Sequence, residues 1–295
     1  MSRGERARRD QRSQDLERIA LVVSYDGSSF EGWQTQPGGK TVQDCLESAL
    51  SRIADQRPQT VCAGRTDSGV HAERQVVHFD VDCKRPLSAW VRGVNTHLPP
   101  AIAVRHAATV DPDFHARYGA LRRSYRYLLL SAPTREPLLS GRVGWTHRAL
   151  DRFAIGDAAG VLIGEHDFST FRSAQCQARS PIRRIDSISV EPLNEDRVGG
   201  RDFPGIRSGD AQLLQIRIVG NAFLHHMVRN IVGALVMVGA GQRPVRWLSD
   251  VLRARDRRLS APTFDAAGLF LEGVEYDRRF ALPSWPQSLH SGPTV

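Results

Sequence analysis

The segment AGRTDSGVHA, residues 63–72, brings an arginine, an aspartate and a histidine together in one glycine-containing stretch. An aspartate beside a glycine most often hydrogen-bonds its own backbone in a turn. Chemistry is favoured because Arg65 lies two residues from Asp67, and a nearby cation keeps a partly desolvated carboxylate ionised. The segment also follows a short apolar run, and loops at strand ends often carry sites on a rigid scaffold. Asp67 is therefore either a turn residue or a catalytic carboxylate.

Arg229 is a second charged residue in unusual surroundings, because the helix predicted for HHMVRNIVGALVMVG is apolar around most of its circumference. A buried arginine needs a carboxylate partner, since an unpaired buried charge is strongly destabilising. Arg229 could instead lie at the edge of the helix with its guanidinium in water. If Arg229 is buried, its carboxylate partner could be a catalytic aspartate, and this is the functional hypothesis for Arg229.

Tyr125 and Tyr127 are two residues apart in the predicted strand RRSYRYLLL and therefore share one of its faces. Most such pairs pack in a core, and the alternation alone does not distinguish the two tyrosines. Arg122, Arg123 and Arg126 make the same strand basic, and a strand that is both aromatic and basic is compatible with contact to RNA.

Three other kinds of site lack the residues that they need. In QTQPGGKT, Gln34 stands where a phosphate-binding P-loop requires glycine, and Pro37 would remove a backbone donor. His225 and His226 are adjacent on the predicted helix, so we expect them to point apart and not to share a metal ion. Ser68 does not lie in a nucleophile elbow. We therefore predict no nucleotide, metal or serine-hydrolase site.

The composition indicates a polyanionic partner. The chain of 295 residues has a formal net charge of +8, and apart from Lys40 and Lys84 its basic residues are arginines, which suit phosphate. Arginine richness could equally reflect genomic composition. No apolar run approaches the roughly 18 residues of a membrane span, and the charged N-terminus lacks the apolar stretch of a signal peptide. We expect a cytoplasmic protein that does not contact a membrane.

The elements that must position these residues form two α+β halves, each a sheet backed by helices. We predict a disordered basic tail over 1–17, an N-terminal domain over 18–110 that carries the Asp67 loop, a C-terminal domain over 111–283 and a tail over 284–295. The strands are predicted for RIALVVSYDG, QTVCAG, RQVVHFDVD, AIAVRHAATV, RRSYRYLLL, RRIDSISVEPL, AQLLQIRIVG and GLFLEGVEY. The helices are predicted from the cap Thr41 onward and for LSAWVRGVNTHL, DRFAIGDAAGVLIG, AFLHHMVRNIVGALVMVGAG and VRWLSDVLRARDR.

Six segments, taken in order, resemble the TruA family of tRNA pseudouridine synthases from about residue 18 to about residue 283. They are YDGSSFEGWQTQ, AGRTDSGVHA, VNTHLP, DFHARYGALRRSYRY, GEHDFSTFR and NAFLHHMVRNIVGALVMVG. The blocks around Asp67 and Arg229 are highly specific together. The basic N-terminal tail and an insert over 197–209 depart from the family pattern, and neither touches a motif.

The resemblance implies a fold and a set of site residues. The fold is two α+β domains whose mostly antiparallel sheets join pseudo-symmetrically around an RNA-binding cleft, in a homodimer that binds the tRNA anticodon stem-loop and modifies uridines 38, 39 and 40. Asp67 takes the position of the catalytic aspartate, and Arg229 that of its arginine partner. Tyr125 takes the position of the active-site tyrosine, which separates it from Tyr127. Arg65 corresponds to the arginine that positions or flips the target nucleotide, and Leu269 is expected to lie against the uracil.

Pseudouridine formation needs no cofactor, because the uracil leaves C1′ through N1 and rejoins it through C5 with no net gain or loss of atoms. A carboxylate can attack C1′ or C6, or stabilise an oxocarbenium ion, and these routes stay open at this point. Two rival hypotheses remain: an RNA-binding or chaperone protein that has lost catalysis, and a metal- or nucleotide-dependent hydrolase. Intact Asp67, Tyr125 and Arg229 argue against the first, and missing motifs argue against the second.

Overall fold

The computed structural model describes residues 16–193 and 211–283. Most of the predicted basic tail, the insert over 197–209 and the tail over 284–295 lie outside the described residues.

The described part of the chain forms a ten-stranded sheet in which the strand order is β4-β1-β3-β10-β5-β9-β8-β7, with β2 paired to β3 and β6 to β5. All pairings are antiparallel except β3 with β10 and β5 with β6. The strands are β1 (Glu17–Tyr25), β2 (Val61–Cys62), β3 (His71–Val81), β4 (Ile102–Thr109), β5 (Arg122–Ser131), β6 (Gly144–Thr146), β7 (Gly164–Asp167), β8 (Ile182–Pro192), β9 (Gln212–Gly220) and β10 (Leu269–Glu275).

The helices pack on the sheet through their apolar residues. They are α1 (Val42–Ala54), α2 (Arg152–Gly160), α3 (Met227–Gly239) and α4 (Trp247–Ala254), with a π-helical turn at Ala89–Gly93. Helix α1 begins where the sequence predicts, because the Thr41 hydroxyl accepts a hydrogen bond from the Asp44 backbone N–H at 3.2 Å. Helix α3 is buried on almost every side, as its nearly continuous apolar sequence requires.

The two halves of the chain share one sheet. Strands β1, β3 and β4 come from the first half, and β10, the last strand, lies between β3 and β5. The seam is short, with His71 opposite Phe270 and Ala72 opposite Leu271. The larger apolar core draws fully buried side chains from both halves, including Trp33, Trp90 and Tyr127. The predicted α+β class with a mostly antiparallel sheet is confirmed.

Two features of the structure differ from the sequence prediction. Strands β6 and β7 were not predicted, because three and four residues are too few to show an alternating pattern. Helix α3 begins at Met227 instead of near Ala222, because His226 has φ +62°, a left-handed conformation that no helix continues. In the described ranges no helix is both long and apolar enough to span a membrane.

Candidate active site

The Asp67 loop, residues 63–70, connects β2 to β3 and turns sharply at its centre. The backbone carbonyl of Asp67 accepts a hydrogen bond from the Val70 N–H at 3.1 Å, and Gly69 has φ +78°. The backbone of Asp67, not its carboxylate, therefore closes the turn. The side chain is 20% exposed and is free to contact other segments.

Thr66 anchors the Asp67 loop to the segment that follows β1. Its carbonyl accepts the Trp33 N–H at 3.0 Å, and its hydroxyl lies 2.7 Å from the Tyr25 hydroxyl. Gly32 has φ +91°, and a Cβ on it would lie 2.8 Å from the Thr66 carbonyl oxygen. Trp33 thus holds the Thr66 carbonyl by a hydrogen bond, and Gly32 leaves room for it, which explains why a glycine occurs in FEGWQTQ.

Arg229 lies in the first turn of α3 and reaches the Asp67 loop. Its Nη1 donates to Asp67 Oδ2 at 3.0 Å, although the two residues are 162 positions apart in the chain. Its Nε donates to the Phe264 carbonyl at 2.9 Å, which fixes the guanidinium. Gly233 lets the 261–264 segment pack closely on α3, because a Cβ there would lie 2.4 Å from the Pro262 carbonyl. Of the two alternatives for Arg229, the structure therefore contains the carboxylate pairing.

The prediction that His225 and His226 point apart is wrong. The left-handed backbone of His226 places both residues before α3, and their ring centroids lie 4.0 Å apart. His225 Nε2 lies 3.2 Å from Asp67 Oδ1, and His226 Nε2 lies 3.4 Å from Asp67 Oδ2. Burial lowers the pKa of His226 below its usual value, although the neighbouring Asp67 opposes this.

The three side chains of Asp67, His225 and His226 offer ligand atoms that lie within 4.8 Å of one another, a separation that a metal ion could bridge. However, Arg229 Nη1 already occupies Asp67 Oδ2 at 3.0 Å. A metal ion at that oxygen would place two cations on one carboxylate oxygen, which like-charge repulsion disfavours. The donor set therefore suits a hydrogen-bonding substrate better than a metal ion.

The structure distinguishes the two tyrosines of β5. Tyr127 is fully buried, and its hydroxyl donates to the Asp265 carbonyl at 2.8 Å. Tyr125 is 8% exposed, and a Cβ on Gly64 of the Asp67 loop would lie 3.4 Å from its hydroxyl oxygen. Burial, and to a smaller extent the Asp67 charge, raises the pKa of Tyr125 to about 12. The Tyr125 phenol therefore faces the Asp67 loop in its protonated form.

Arg123 connects the segments that build the site, a role that the sequence did not indicate. Its guanidinium donates to the carbonyls of Ala63 at 2.9 Å, Arg117 at 2.7 Å and Asn221 at 2.8 Å. These acceptors belong to the Asp67 loop, to the segment between β4 and β5, and to the segment that leads to His225. The basic strand RRSYRY offered a signal for a charged contact, but not that it would be buried and intramolecular.

Arg65 and Leu269 lie in contrasting environments. The Arg65 side chain is exposed, and its guanidinium makes no hydrogen bond or ion pair with a described residue. Leu269 is 5% exposed and pairs in register with Tyr127, on the same face of β10 as Leu271, which is opposite Tyr125. The structure brings Asp67, Arg229 and Tyr125 together, whereas Leu269 lies opposite Tyr127 on the neighbouring strand.

Comparison with known proteins identifies the relatives of this chain. A family model described as tRNA pseudouridine synthase matches residues 21–119 and 158–277. A protein of Thiobacillus denitrificans named tRNA pseudouridine synthase A is 50% identical over 273 residues, which cover 91% of this chain and 98% of the relative. A protein of Bordetella petrii with the same name is 51% identical over 269 residues, which cover 90% of this chain and 94% of the relative.

Proposed function

The chain belongs to the tRNA pseudouridine synthase family, and we propose that it isomerises uridine to pseudouridine at positions 38, 39 and 40 of the tRNA anticodon stem-loop, with Asp67 as the catalytic carboxylate. As a member of this family it is an isomerase that acts on tRNA. The observation that carries the assignment to Asp67 is its 3.0 Å contact with Arg229. A carboxylate paired with a guanidinium at the meeting point of two chain halves is the kind of group that this reaction requires.

The reaction breaks the N1–C1′ bond and forms a C5–C1′ bond. Asp67 attacks C1′ or C6, or stabilises the oxocarbenium ion that forms at C1′. Arg229 and His226 both contact Oδ2, whereas Oδ1 is contacted by His225, which is exposed. We therefore assign Oδ1 as the oxygen that faces the reacting centre, with Arg229 holding the carboxylate by its other oxygen.

The proton on C5 must leave before the product is complete. Tyr125 is a poor base, because burial raises its pKa to about 12 and leaves the phenol protonated. Its buried ring suits a role in packing against the uracil and excluding water. The Asp67 carboxylate is regenerated when C5 of the detached uracil rejoins C1′, and we assign it as the base that takes the C5 proton and passes it to solvent. N1, which keeps the electron pair of the broken N1–C1′ bond, takes up a proton from solvent, so that the protons balance. Leu269 is proposed to complete the apolar wall for the uracil.

A uridine stacked in a stem-loop must leave the stack before it can reach Asp67. Arg65 is exposed and has no partner among the described residues, so it is available to fill the vacated position. The net charge of +8, carried mostly by arginine, favours phosphate contacts that weaken with salt. We further propose a cytoplasmic homodimer that binds one tRNA across both subunits, and a reaction without cofactor because no atoms enter or leave.

Tritium release tests this proposal. The purified protein is mixed with tRNA whose uracils carry tritium at C5, in buffer with EDTA and no added cofactor. We expect release of label with wild type, and loss of at least about 10³-fold in rate with Asp67→Asn, because the isosteric amide cannot act as nucleophile or anionic stabiliser. Sequencing of the product RNA should place pseudouridine at 38, 39 and 40.

Asp67→Asn should retain tRNA affinity and thermal stability, which separates lost chemistry from lost structure. Substantial turnover by this variant would exclude Asp67 as the catalytic group. Tight tRNA binding by wild type without release of label would favour the RNA-binding hypothesis. A parallel assay in buffer without EDTA is the control: release there, but not in the buffer with EDTA, would indicate that the Asp67, His225 and His226 cluster holds a metal ion.

A further inference from the structure

The segment between β4 and β5 displays an aromatic and basic surface, which we call the Tyr118 platform and define as His115, Arg117 and Tyr118. Tyr118 is 78% exposed, the largest exposure among the large hydrophobic side chains of the described residues. Its ring contacts the His115 ring at 4.5 Å between centroids, and the Arg117 guanidinium carbon lies 5.5 Å from its centroid. The ring therefore offers an accessible aromatic face, of the kind that stacks on planar groups.

The platform is rigid before any partner arrives. His115 Nδ1 accepts hydrogen bonds from the backbone N–H groups of Arg117 at 3.2 Å and Tyr118 at 3.1 Å. The Gly119 N–H donates to the His115 carbonyl at 2.8 Å, which closes the turn. On its inner side the His115 ring contacts His78 of β3 at 4.9 Å. Tyr118 is therefore presented on a fixed turn, and a ligand would not have to order it.

The platform lies beside the Asp67 loop. One nitrogen of Arg123 donates both to the Arg117 carbonyl and to the Ala63 carbonyl, so the two segments meet at a single guanidinium. The charges of Arg65 and Arg117 both act on the buried Cys62 thiol. Burial raises the pKa of this thiol to about 12, although the two cations oppose the shift. Neither guanidinium forms an ion pair with a described residue. The exposed ring thus has the Arg117 cation beside it, on a segment that meets the Asp67 loop.

We propose that the Tyr118 platform stacks an unpaired base of the RNA substrate that lies outside the reacting position, while Arg117 contacts the adjacent phosphate. An aromatic face with neighbouring arginines suits a nucleobase and its phosphates, because stacking accepts any base and the guanidinium fork matches phosphate oxygens. This inference rests on the proposed function, since it assumes RNA in the cleft. It assigns substrate affinity, not chemistry, to Tyr118.

Steady-state kinetics with tRNA tests the platform through Tyr118→Ala, Tyr118→Phe and Tyr118→Trp. We expect Tyr118→Ala to raise KM about tenfold or more with kcat within about twofold of wild type, because a lost stack weakens binding by about that factor. Tyr118→Phe and Tyr118→Trp retain a stacking face and should restore KM. The thermal midpoints should stay close to wild type, since the side chain is exposed.

Phe153→Ala is the matched control. Phe153 is 67% exposed and lies 4.1 Å from the Arg152 guanidinium carbon, so it is another exposed aromatic and arginine pair. It lies on α2, whose start is hydrogen-bonded to the end of α3 remote from Arg229, so its removal should leave KM unchanged.

An unchanged KM for Tyr118→Ala would overturn the platform, as would an equal increase with Tyr118→Phe and Tyr118→Trp. A change of oligomeric state in Tyr118→Ala, measured by sedimentation, would also overturn the platform, because it would assign Tyr118 to a contact between subunits. In each of these cases wild type still makes pseudouridine. Failure of wild type to do so would instead overturn the proposed function itself.

Discussion

Tyr125 and Tyr127 show how single contacts separate residues that the sequence leaves equivalent. Both lie on the same face of β5, and burial raises the pKa of both phenols. The Tyr127 hydroxyl is already bonded to the Asp265 carbonyl, whereas the Tyr125 hydroxyl faces Gly64 and the Asp67 loop. Of the two hydroxyls, only that of Tyr125 therefore faces the Asp67 loop, and its protonated form favours packing over proton abstraction.

The Tyr125→Phe variant tests that distinction. We expect kcat to stay within about fivefold of wild type, because the ring is kept, whereas loss of a general base typically costs about 10²–10⁴ in rate. Tyr125→Ala should lower kcat much more, since it removes the wall of the pocket. Single-turnover pseudouridine formation, followed by tritium release, measures both. A decrease of 100-fold or more with Tyr125→Phe would instead show that the hydroxyl takes part in proton transfer.

At the scale of the elements, the position of the Asp67 loop depends on Gly32, a glycine outside the loop. Gly32 and Gly39 both have positive φ, at +91° and +65°. A Cβ on Gly32 would press on the Thr66 carbonyl at 2.8 Å, whereas a Cβ on Gly39 would meet no atom within 4 Å. A side chain would therefore strain the backbone at either position, but only at Gly32 would it also press on the Asp67 loop.

Gly32→Ala and Gly39→Ala form a matched pair for kinetics and thermal unfolding. We expect both variants to lose about 1–2 kcal/mol of stability from the left-handed backbone. Only Gly32→Ala should also lower kcat, by about tenfold or more, because a small displacement of a catalytic group is costly. Equal kcat values for the two variants would show that the loop tolerates the displaced Thr66 carbonyl.

The sequence was sufficient for elements whose pattern is long and local. The apolar, β-branched runs of β1 and β3 and the Thr41 cap of α1 need no information from distant residues. The start of α3 was not predictable, because a left-handed histidine has no local signature, and this also hid the contacts of His225 and His226 with Asp67.

Arg123 was equally hidden, since its acceptors Ala63 and Asn221 lie 60 and 98 residues away in the chain. The position of Asp67 and Arg229 came from a resemblance over their motifs, not from periodicity. Long-range polar contacts of this kind are set by the packed sheet and cannot be inferred from the strand pattern alone.

The whole molecule is organised so that neither half can form the site by itself. Asp67 comes from the loop before β3, whereas Arg229 and Tyr125 come from elements that reach it only after β10 has joined β3 to β5. A second connection holds β3 to the segment between the halves. His78 of β3 is buried, and its Nδ1 accepts a hydrogen bond from the Ala116 N–H at 3.2 Å.

His78 makes this connection sensitive to pH. Burial, together with the nearby cation Arg18 and the ring of His115, lowers its pKa from 6.5 to about 4. The unfolded chain binds a proton at His78 below pH 6.5, whereas the folded chain does so only near pH 4. Between these pH values the unfolded protein therefore binds more protons than the folded protein. The free energy of unfolding consequently decreases as the pH falls from 6.5 towards 4. Above pH 6.5 the ionisation of His78 does not affect stability.

Urea unfolding of wild type and His78→Asn at pH 7 and pH 5 measures the effect. The asparagine amide oxygen can accept the Ala116 N–H but does not titrate, so the variant keeps the connection without the charge. Wild type should lose about 2 kcal/mol more than the variant between the two pH values, because the unfolded histidine gains a proton that the folded one refuses. His71, His115 and His226 also have lowered pKa values and remain in both proteins, so the difference isolates His78. An equal loss of unfolding free energy in the two proteins would contradict this prediction. It would mean that His78 takes up its proton in the folded chain and is therefore accessible to water.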